Sequence, residues 1–306
     1  MKIVITGSIG NIGKPLTQQL VQRGHDVTVI TSKSAKQAEI ELLQAKPAVG
    51  TFFDVDFLSE TFAGADIVYL MEAWEGIGSV FDQDKDFVAA FDRIGNNYKT
   101  AVERAGVKQV VHLSSIGAHT DHGVGSLAMH HNVENILRQL PGDVSIKFIR
   151  PVGFYTNLYR WIHSIKTQNA IVQTYGGDQK EPWVSPADIA DAIVEEMEKP
   201  FEGRTVRYVA SDEISPLELA TVLGQAIGQP DLKWVVISEE TMLGNMRALG
   251  MNEWIAQGFI AMQAAQGTGA LYEDFYRHKP TLGSVKLKDF ATEFANVYHH
   301  QTKAAV

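Results

Sequence analysis

Ile3-Val4-Ile5-Thr6-Gly7-Ser8-Ile9-Gly10-Asn11-Ile12-Gly13 is the stretch on which the fold turns. An apolar run of strand length passes straight into glycines at 7, 10 and 13. A helical stretch, 14–22, follows and is closed by Gly24. In that setting Gly7 permits a tight turn, Gly10 lets backbone approach a pyrophosphate, and Gly13 lets helix pack on strand. The free N–H groups and macrodipole at the helix N-terminus favour an anion there. Gly7, Ser8, Ile9, Gly10, Asn11, Ile12 and Gly13 are therefore expected to cradle a dinucleotide.

Working outward, further apolar runs of strand length lie at 27–30, 67–71, 110–113 and 144–149, with a shorter one within 47–53. Helical segments are expected from near Asn11, Ala35, Leu58, Asp84 and Leu127. Strands apolar on both faces and separated by helices predict a parallel sheet covered on both sides. Right-handed crossovers make it an α/β doubly wound parallel sheet of the Rossmann type. Beyond Arg150-Pro151 the pattern loosens. The stretch 157–181 reads as irregular and 233–237 as an isolated strand. Ser185-Pro186 reads as a capped helix start, and 206–210 as a strand returning to the sheet. Ser215-Pro216-Leu217-Glu218 is a capping box. The expected organisation is a dinucleotide-binding domain over 1–155 and a smaller, mainly helical substrate region over 156–306.

The end of the second strand addresses which dinucleotide binds. An NAD-preferring site usually carries an acid about 20 residues past the glycines, on the ribose hydroxyls. Here Thr31-Ser32-Lys33-Ser34 stands instead, with no acid until Glu39. Two hydroxyls and an ammonium suit a 2′-phosphate, so NADP(H) is expected in preference to NAD(H). A solvated loop lysine is the other reading of Lys33. Asp54 and Val55 are placed to flank the adenine, or Asp54 to cap the next helix.

Composition narrows the chemistry. The 306 residues include no cysteine, which excludes disulfides, thiolate nucleophiles and cysteine-based metal sites. Lys+Arg number 27 against 36 Asp+Glu, a net charge of -9 without a basic cluster, so nucleic acid is not an expected partner. The N-terminal apolar run is too short for a signal peptide, and no run approaches the roughly 18 residues of a spanning helix. A soluble cytoplasmic monomer or homodimer with no membrane partner is expected. His119/His122, His130-His131 and His299-His300 lack the geometry of a catalytic zinc site, so no metal is expected.

Later motifs add a family resemblance. Val110-Val111-His112-Leu113-Ser114-Ser115-Ile116-Gly117, Ile149-Arg150-Pro151 with Phe154 and Asn157-Leu158, Trp183-Val184-Ser185-Pro186-Ala187-Asp188-Ile189-Ala190 and Leu287-Lys288-Asp289-Phe290 join the glycine loop. Together they resemble the NmrA-like family of atypical short-chain dehydrogenase/reductases, over nearly the whole chain. That family includes NADP-sensing regulators and NAD(P)H-dependent quinone reductases. Its catalytic cousins carry Tyr-x-x-x-Lys on the helix after the fifth strand. Anchoring on Glu134, the resemblance puts Ser126 and His130 at those two positions, and a serine hydroxyl cannot serve as a tuned phenol. Ser114 matches the family serine.

Three functions follow. The first is NAD(P)H-dependent hydride transfer to a small apolar or planar acceptor, quinone-type first, whose reduced oxygens protonate from solvent. An alternative is a non-catalytic NADP(H) sensor that binds a protein partner. The third is a carbonyl or enone reductase in which His130 or Tyr155 supplies the acid. An exposed helix histidine is the commoner reading of His130. Met71 and Glu72, at the carboxyl end of the fourth strand, are placed to cover the cofactor, with Trp74 at the acceptor mouth or packed in its loop, and His119 on a loop that borders the acceptor pocket in this fold. The resemblance implies that Ser114, Pro151 and Phe154 border the cofactor and that Tyr155 and Asn157 line the acceptor pocket.

Overall fold

The computed structural model describes residues 1–303. In chain order the first elements are β1 (Lys2–Ile5), α1 (Gly13–Gln22), β2 (Asp26–Thr31), α2 (Gln37–Leu42), β3 (Lys46–Val49) and α3 (Val55–Phe62). Next come β4 (Ile67–Leu70), α4 (Trp74–Ile77), α5 (Phe87–Ala105), β5 (Gln109–Leu113), α6 (Ala128–Leu137) and β6 (Ser145–Pro151). They are followed by β7 (Gly153–Phe154), α7 (Ile162–Gln168), β8 (Ala170–Gln173), β9 (Glu181–Val184), α8 (Pro186–Glu198) and β10 (Arg204–Val209). The remainder is β11 (Asp212–Ile214), α9 (Pro216–Ile227), β12 (Lys233–Val236), α10 (Glu239–Ala248), α11 (Glu253–Thr268), α12 (Glu273–Arg277) and α13 (Leu287–Lys303).

These elements form two compact units, and neither is continuous in sequence. The first comprises Met1–Asp121, Ala128–Arg150 and Ile189–Arg207; the second comprises His122–Leu127, Pro151–Asp188 and the chain from Tyr208 onward.

The first unit is built on a seven-stranded sheet of order β10-β6-β5-β4-β1-β2-β3. Its β1–β2, β1–β4, β2–β3, β4–β5 and β5–β6 pairs are all parallel. The Ile146 N–H donates to the Gly203 carbonyl and the Val152 N–H to that of Val209, so β10 also runs parallel to β6. All four residues of β4 are buried, as a strand covered on both faces requires. Helix α5 lays Phe87, Phe91, Ile94 and Tyr98 into the core, each side chain contributing about 1.5–3 kcal/mol by burial. It starts at Asp86, whose carboxylate accepts from the Ala89 N–H, and stops at Gly106 in the left-handed region.

The second unit has a three-stranded sheet of order β11-β9-β7 and a two-stranded one of β12 and β8. Its core gathers Tyr155, Leu158, Trp161, Leu219, Leu223 and Phe294, with α9 packed against α13. Ser215 and Glu218 make the capping box at the start of α9. Two expectations are corrected here. The stretch 157–181 is not irregular, since it holds a 3-10 helix over Tyr155–Trp161, then α7 and β8. Nor is β12 isolated: it pairs in parallel with β8, from Lys233 opposite Ala170 to Val236 opposite Gln173. An unpaired strand would leave its N–H and C=O groups without partners. Among the described residues no helix is long and apolar enough to cross a membrane.

Candidate functional site

Strand order in the first unit reverses between β1 and β4, and ligands of open α/β sheets sit beyond the carboxyl ends at such a point. The loop leaving β1 is shaped for it. Gly7 has φ +85°, and a Cβ there would lie 2.2 Å from the Met71 Sδ just beyond β4. A Cβ on Gly13 would lie 2.0 Å from the Ser8 carbonyl oxygen, so any side chain would prise α1 from the loop. Gly10, by contrast, faces open space. Ile9 and Ile12 are buried and anchor the loop, while Gly10 and Asn11 are exposed beside the first turn of α1. An anion can therefore meet the backbone at the helix N-terminus, and a pyrophosphate fits that donor set.

At the end of β2 the Ser8 hydroxyl donates to Thr31 Oγ1 at 3.0 Å, and the Lys33 N–H donates to the same atom at 3.2 Å. Ser32 and Lys33 are exposed. Glu39, the first acid downstream, is held by Lys36 at 2.8 Å and Lys14 at 3.2 Å. Hydrogen bonds from Lys36 and then Lys14 hold its carboxyl below the usual range. Asp54 caps α3, accepting from the Asp56 and Phe57 N–H groups at 3.1 and 3.0 Å, and Val55 is the first residue of that helix.

Beyond β4 the Met71 N–H donates to Thr6 Oγ1 at 2.9 Å, and the Tyr98 hydroxyl donates to the Met71 carbonyl at 2.7 Å. Glu72 points inward with its side chain fully buried. His112 Nε2 lies 3.1 and 3.3 Å from its two oxygens, and His130 Nδ1 lies 3.9 Å from one of them. Trp74, 37% exposed, packs on Phe87 and Phe91.

His130 is not an exposed helix residue. Its side chain is 17% exposed and meets the edge of Phe91, with centroids 5.7 Å apart. Burial pulls its pKa down and Glu72 pulls it back up in part, leaving it below the usual histidine value. Ser114 is buried, and its hydroxyl donates to Glu134 at 2.6 Å. Arg150 grips the same carboxylate through Nε at 2.8 Å and a terminal nitrogen at 2.7 Å. Burial pushes Glu134 up, but Arg150 and Ser114 outweigh it and hold the carboxyl below its ordinary value. His119 is half-buried in the same unit.

The second unit holds the remaining expected residues. Pro151 is buried, and Phe154 is half-buried on β7 opposite Val184. Asn157 is exposed, and its carbonyl accepts from Arg160 Nε at 3.0 Å. Tyr155 was expected to line a pocket or to donate a proton. Instead it is 0% exposed, stacked on Phe290 with centroids 5.2 Å apart, and its hydroxyl has no partner among the described residues. Burial pushes its phenol far up, so it is a core residue.

Ser126 lies in a 3-10 turn, Gly125–Leu127, against which α11 packs. A Cβ on Gly258 would lie 2.9 Å from the Ser126 Cβ, and a Cβ on Gly125 would lie 1.9 Å from the Gly258 carbonyl oxygen. The two backbones touch where the family resemblance would put a tyrosine.

His112 escaped the sequence reading, although a histidine inside an otherwise apolar strand was a legible anomaly. The Glu134–Arg150 pair escaped too, because residues 16 apart in sequence on a helix and a strand carry no local signature. Among the described residues no group of three or more His, Asp or Glu side chains could hold a metal ion.

A family model described as NAD(P)H-binding matches residues 7–200. An uncharacterised protein of Schizosaccharomyces pombe is 25% identical over 260 residues, covering 78% of this chain and 84% of that one. Two solved structures share the fold at 19% identity. The Escherichia coli NADPH-dependent quinone oxidoreductase complexed with NADPH aligns with TM-score 0.78 over 95% of this chain and 99% of its own. The Citrobacter triphenylmethane reductase complexed with NADP(H) aligns with TM-score 0.75 over 96% and 100%. The chain belongs to the NAD(P)H-binding family, whose model covers its residues 7–200.

Proposed function

We propose that this protein transfers hydride from NADPH, in preference to NADH, to a small apolar or planar acceptor, with quinone-type compounds first. One observation carries the reading: no hydroxyl at the expected acid positions can act as a proton donor. Ser126 is pressed against α11, and the Ser114 hydroxyl is spent on Glu134. An acceptor whose reduced oxygens protonate readily depends least on such a hydroxyl. The nicotinamide supplies the hydride, and the protein's part is chiefly binding and orientation. The glycine loop takes the pyrophosphate, while Thr31, Ser32 and Lys33 take the 2′-phosphate. The quinone oxidoreductase with a similar fold supports this choice of acceptor.

The acceptor is the one partner this reading needs, for a monomer or homodimer working in the cytoplasm without nucleic acid. A second reading, reduction of an enone or carbonyl with His130 as acid, is favoured by the nearness of Glu72 to that ring. The test incubates the protein with NADPH or NADH and a panel of quinones and enones, following loss of reduced-nicotinamide absorbance. Faster turnover with NADPH and quinones is expected. No turnover, with NADP⁺ bound much more tightly than NADPH, would overturn the proposal in favour of a redox sensor with a protein partner.

A further inference from the structure

We propose that Glu72, His112 and His130 form a proton-holding relay, in which His130 protonates the reduced acceptor and Glu72, pinned by His112, is the residue that positions and counter-charges it. The inference rests on the hydride-transfer reading above and adds the source of the proton.

Place is the first ground. Met71 packs on Gly7 at the point where the strand order reverses, and Glu72 is the next residue in the chain. The cluster therefore stands beside the glycine loop, at the carboxyl ends of β4 and β5, where ligands of such sheets collect. Burial is the second. The Glu72 and His112 side chains are both 0% exposed, one just beyond β4 and the other within β5. A hydrocarbon side chain would fill either position without the desolvation penalty of a carboxylate, so stability alone does not account for the pair.

The third ground is an asymmetry between the two imidazoles. His112 Nε2 donates to Glu72 within hydrogen-bond distance. His130 Nδ1, 3.9 Å from the other oxygen, is enclosed and has no hydrogen-bond partner among the described residues. One ring fixes the carboxylate; the second stands one hydrogen bond short. A proton on His130 would close that gap and gain a charged partner, whereas a neutral ring gains neither.

The surroundings leave this pair as the responsive one. From α5 the ring meets uncharged Phe91. On its own helix Glu134 is committed to Arg150, Arg138 and Ser114. Near Glu72 the Tyr69 and Tyr98 phenols are pushed far up by burial and stay neutral.

The step balances simply. Once hydride has brought two electrons to the acceptor, its oxygen carries a negative charge. The N–H bond of the His130 imidazolium breaks, an O–H bond forms on the acceptor, and the neutral imidazole regains a proton from water. Need for this donor grows with the basicity of the acceptor's oxygen, so enones depend on it more than quinones.

Two measurements on the full chain test the relay. In cofactor-free protein, NMR titration of the His130 ring is compared between wild type and Glu72→Gln. The variant should lower the His130 pKa by about one unit; a change under ~0.3 units overturns the coupling. Glu72→Asp, which keeps the charge but draws it back, should lie between the two and serves if the amide variant folds poorly. With NADPH, wild-type kcat should fall as pH rises through the His130 pKa, and in Glu72→Gln that fall should move to lower pH. His130→Gln should abolish it, costing about tenfold for quinones and about hundredfold for enones with the KM for NADPH unchanged. Turnover by His130→Gln equal to wild type at every pH overturns the relay alone. No turnover with any acceptor overturns the hydride-transfer reading, and the relay with it.

Discussion

At Ser126 the resemblance to catalytic short-chain dehydrogenases fails, and the structure shows that the failure is steric as well as chemical. A phenol at 126 would have to displace α11, whose Gly258 leaves no room. Ser126→Tyr is therefore expected to destabilise the fold by about 1–3 kcal/mol and to confer no alcohol dehydrogenase activity. Chemical denaturation and an alcohol/NADP⁺ assay check both halves. Lys33 is a second residue whose role is separable. Lys33→Asp should weaken NADPH by tenfold or more and leave NADH nearly unchanged, read by tryptophan fluorescence titration. Equal losses would remove the 2′-phosphate assignment.

Glu181, in the second unit, supplies a pH prediction of its own. It is buried, accepts from Tyr272 at 3.0 Å and Tyr175 at 3.2 Å, and burial, partly offset by those donors, pushes it up to about 7. A carboxyl raised on folding binds its proton more tightly in the native state. Stability therefore falls as pH rises from about 4.5 to about 7 and levels off above, a cost of about 3 kcal/mol. Glu181→Gln should remove that slope, so the variant should gain on wild type between pH 4.5 and 7.5. A difference that does not vary with pH would refute the assignment. None of this was visible in the sequence. The glycine triplet was legible because its neighbours on both sides agree with it. The inward turn of Glu72 was not, because a side chain's direction after a strand depends on partners far along the chain.

Among elements, legibility followed apolar content and length. Strands β1, β4 and β5 could be read because a strand covered on both faces is largely apolar. Strand β8, Ala170–Gln173, was less legible, since it ends in a polar residue. Its partner β12 lies some 60 residues later, so no local pattern joins them. Helix starts were read better than strand pairs, since caps are local. The Ser215–Glu218 box satisfies two backbone donors by itself. Ser215→Ala should cost about 1 kcal/mol and lower the melting temperature by about 2–4 °C, with cofactor binding unchanged.

For the molecule as a whole, the fold class and the return of a strand near 206–210 to the first sheet were legible, but the extent of the returning segment was not. The compact units interleave, because the whole stretch from Ile189 to Arg207 returns to the first unit. There Arg23 pairs with Glu198 at 2.7 Å, and the buried Lys147 ammonium donates to the Glu196 carbonyl at 2.7 Å. A chain stopped at residue 155 would lack those anchors and the seventh strand, leaving β6 as an open edge. It is expected to be insoluble or aggregation-prone, whereas the full chain should elute as a discrete species in size-exclusion chromatography.

The late arrival of β10 also has a meaning in time. A ribosome extending the chain at about 5–20 residues per second needs about 3–10 s to pass from the end of β6 to β10. For that interval the nascent sheet offers a bare, strongly apolar border that includes Ile146 and Phe148. Slowing translation between codons 152 and 203 should therefore lower soluble yield far more than an equal delay placed after codon 210.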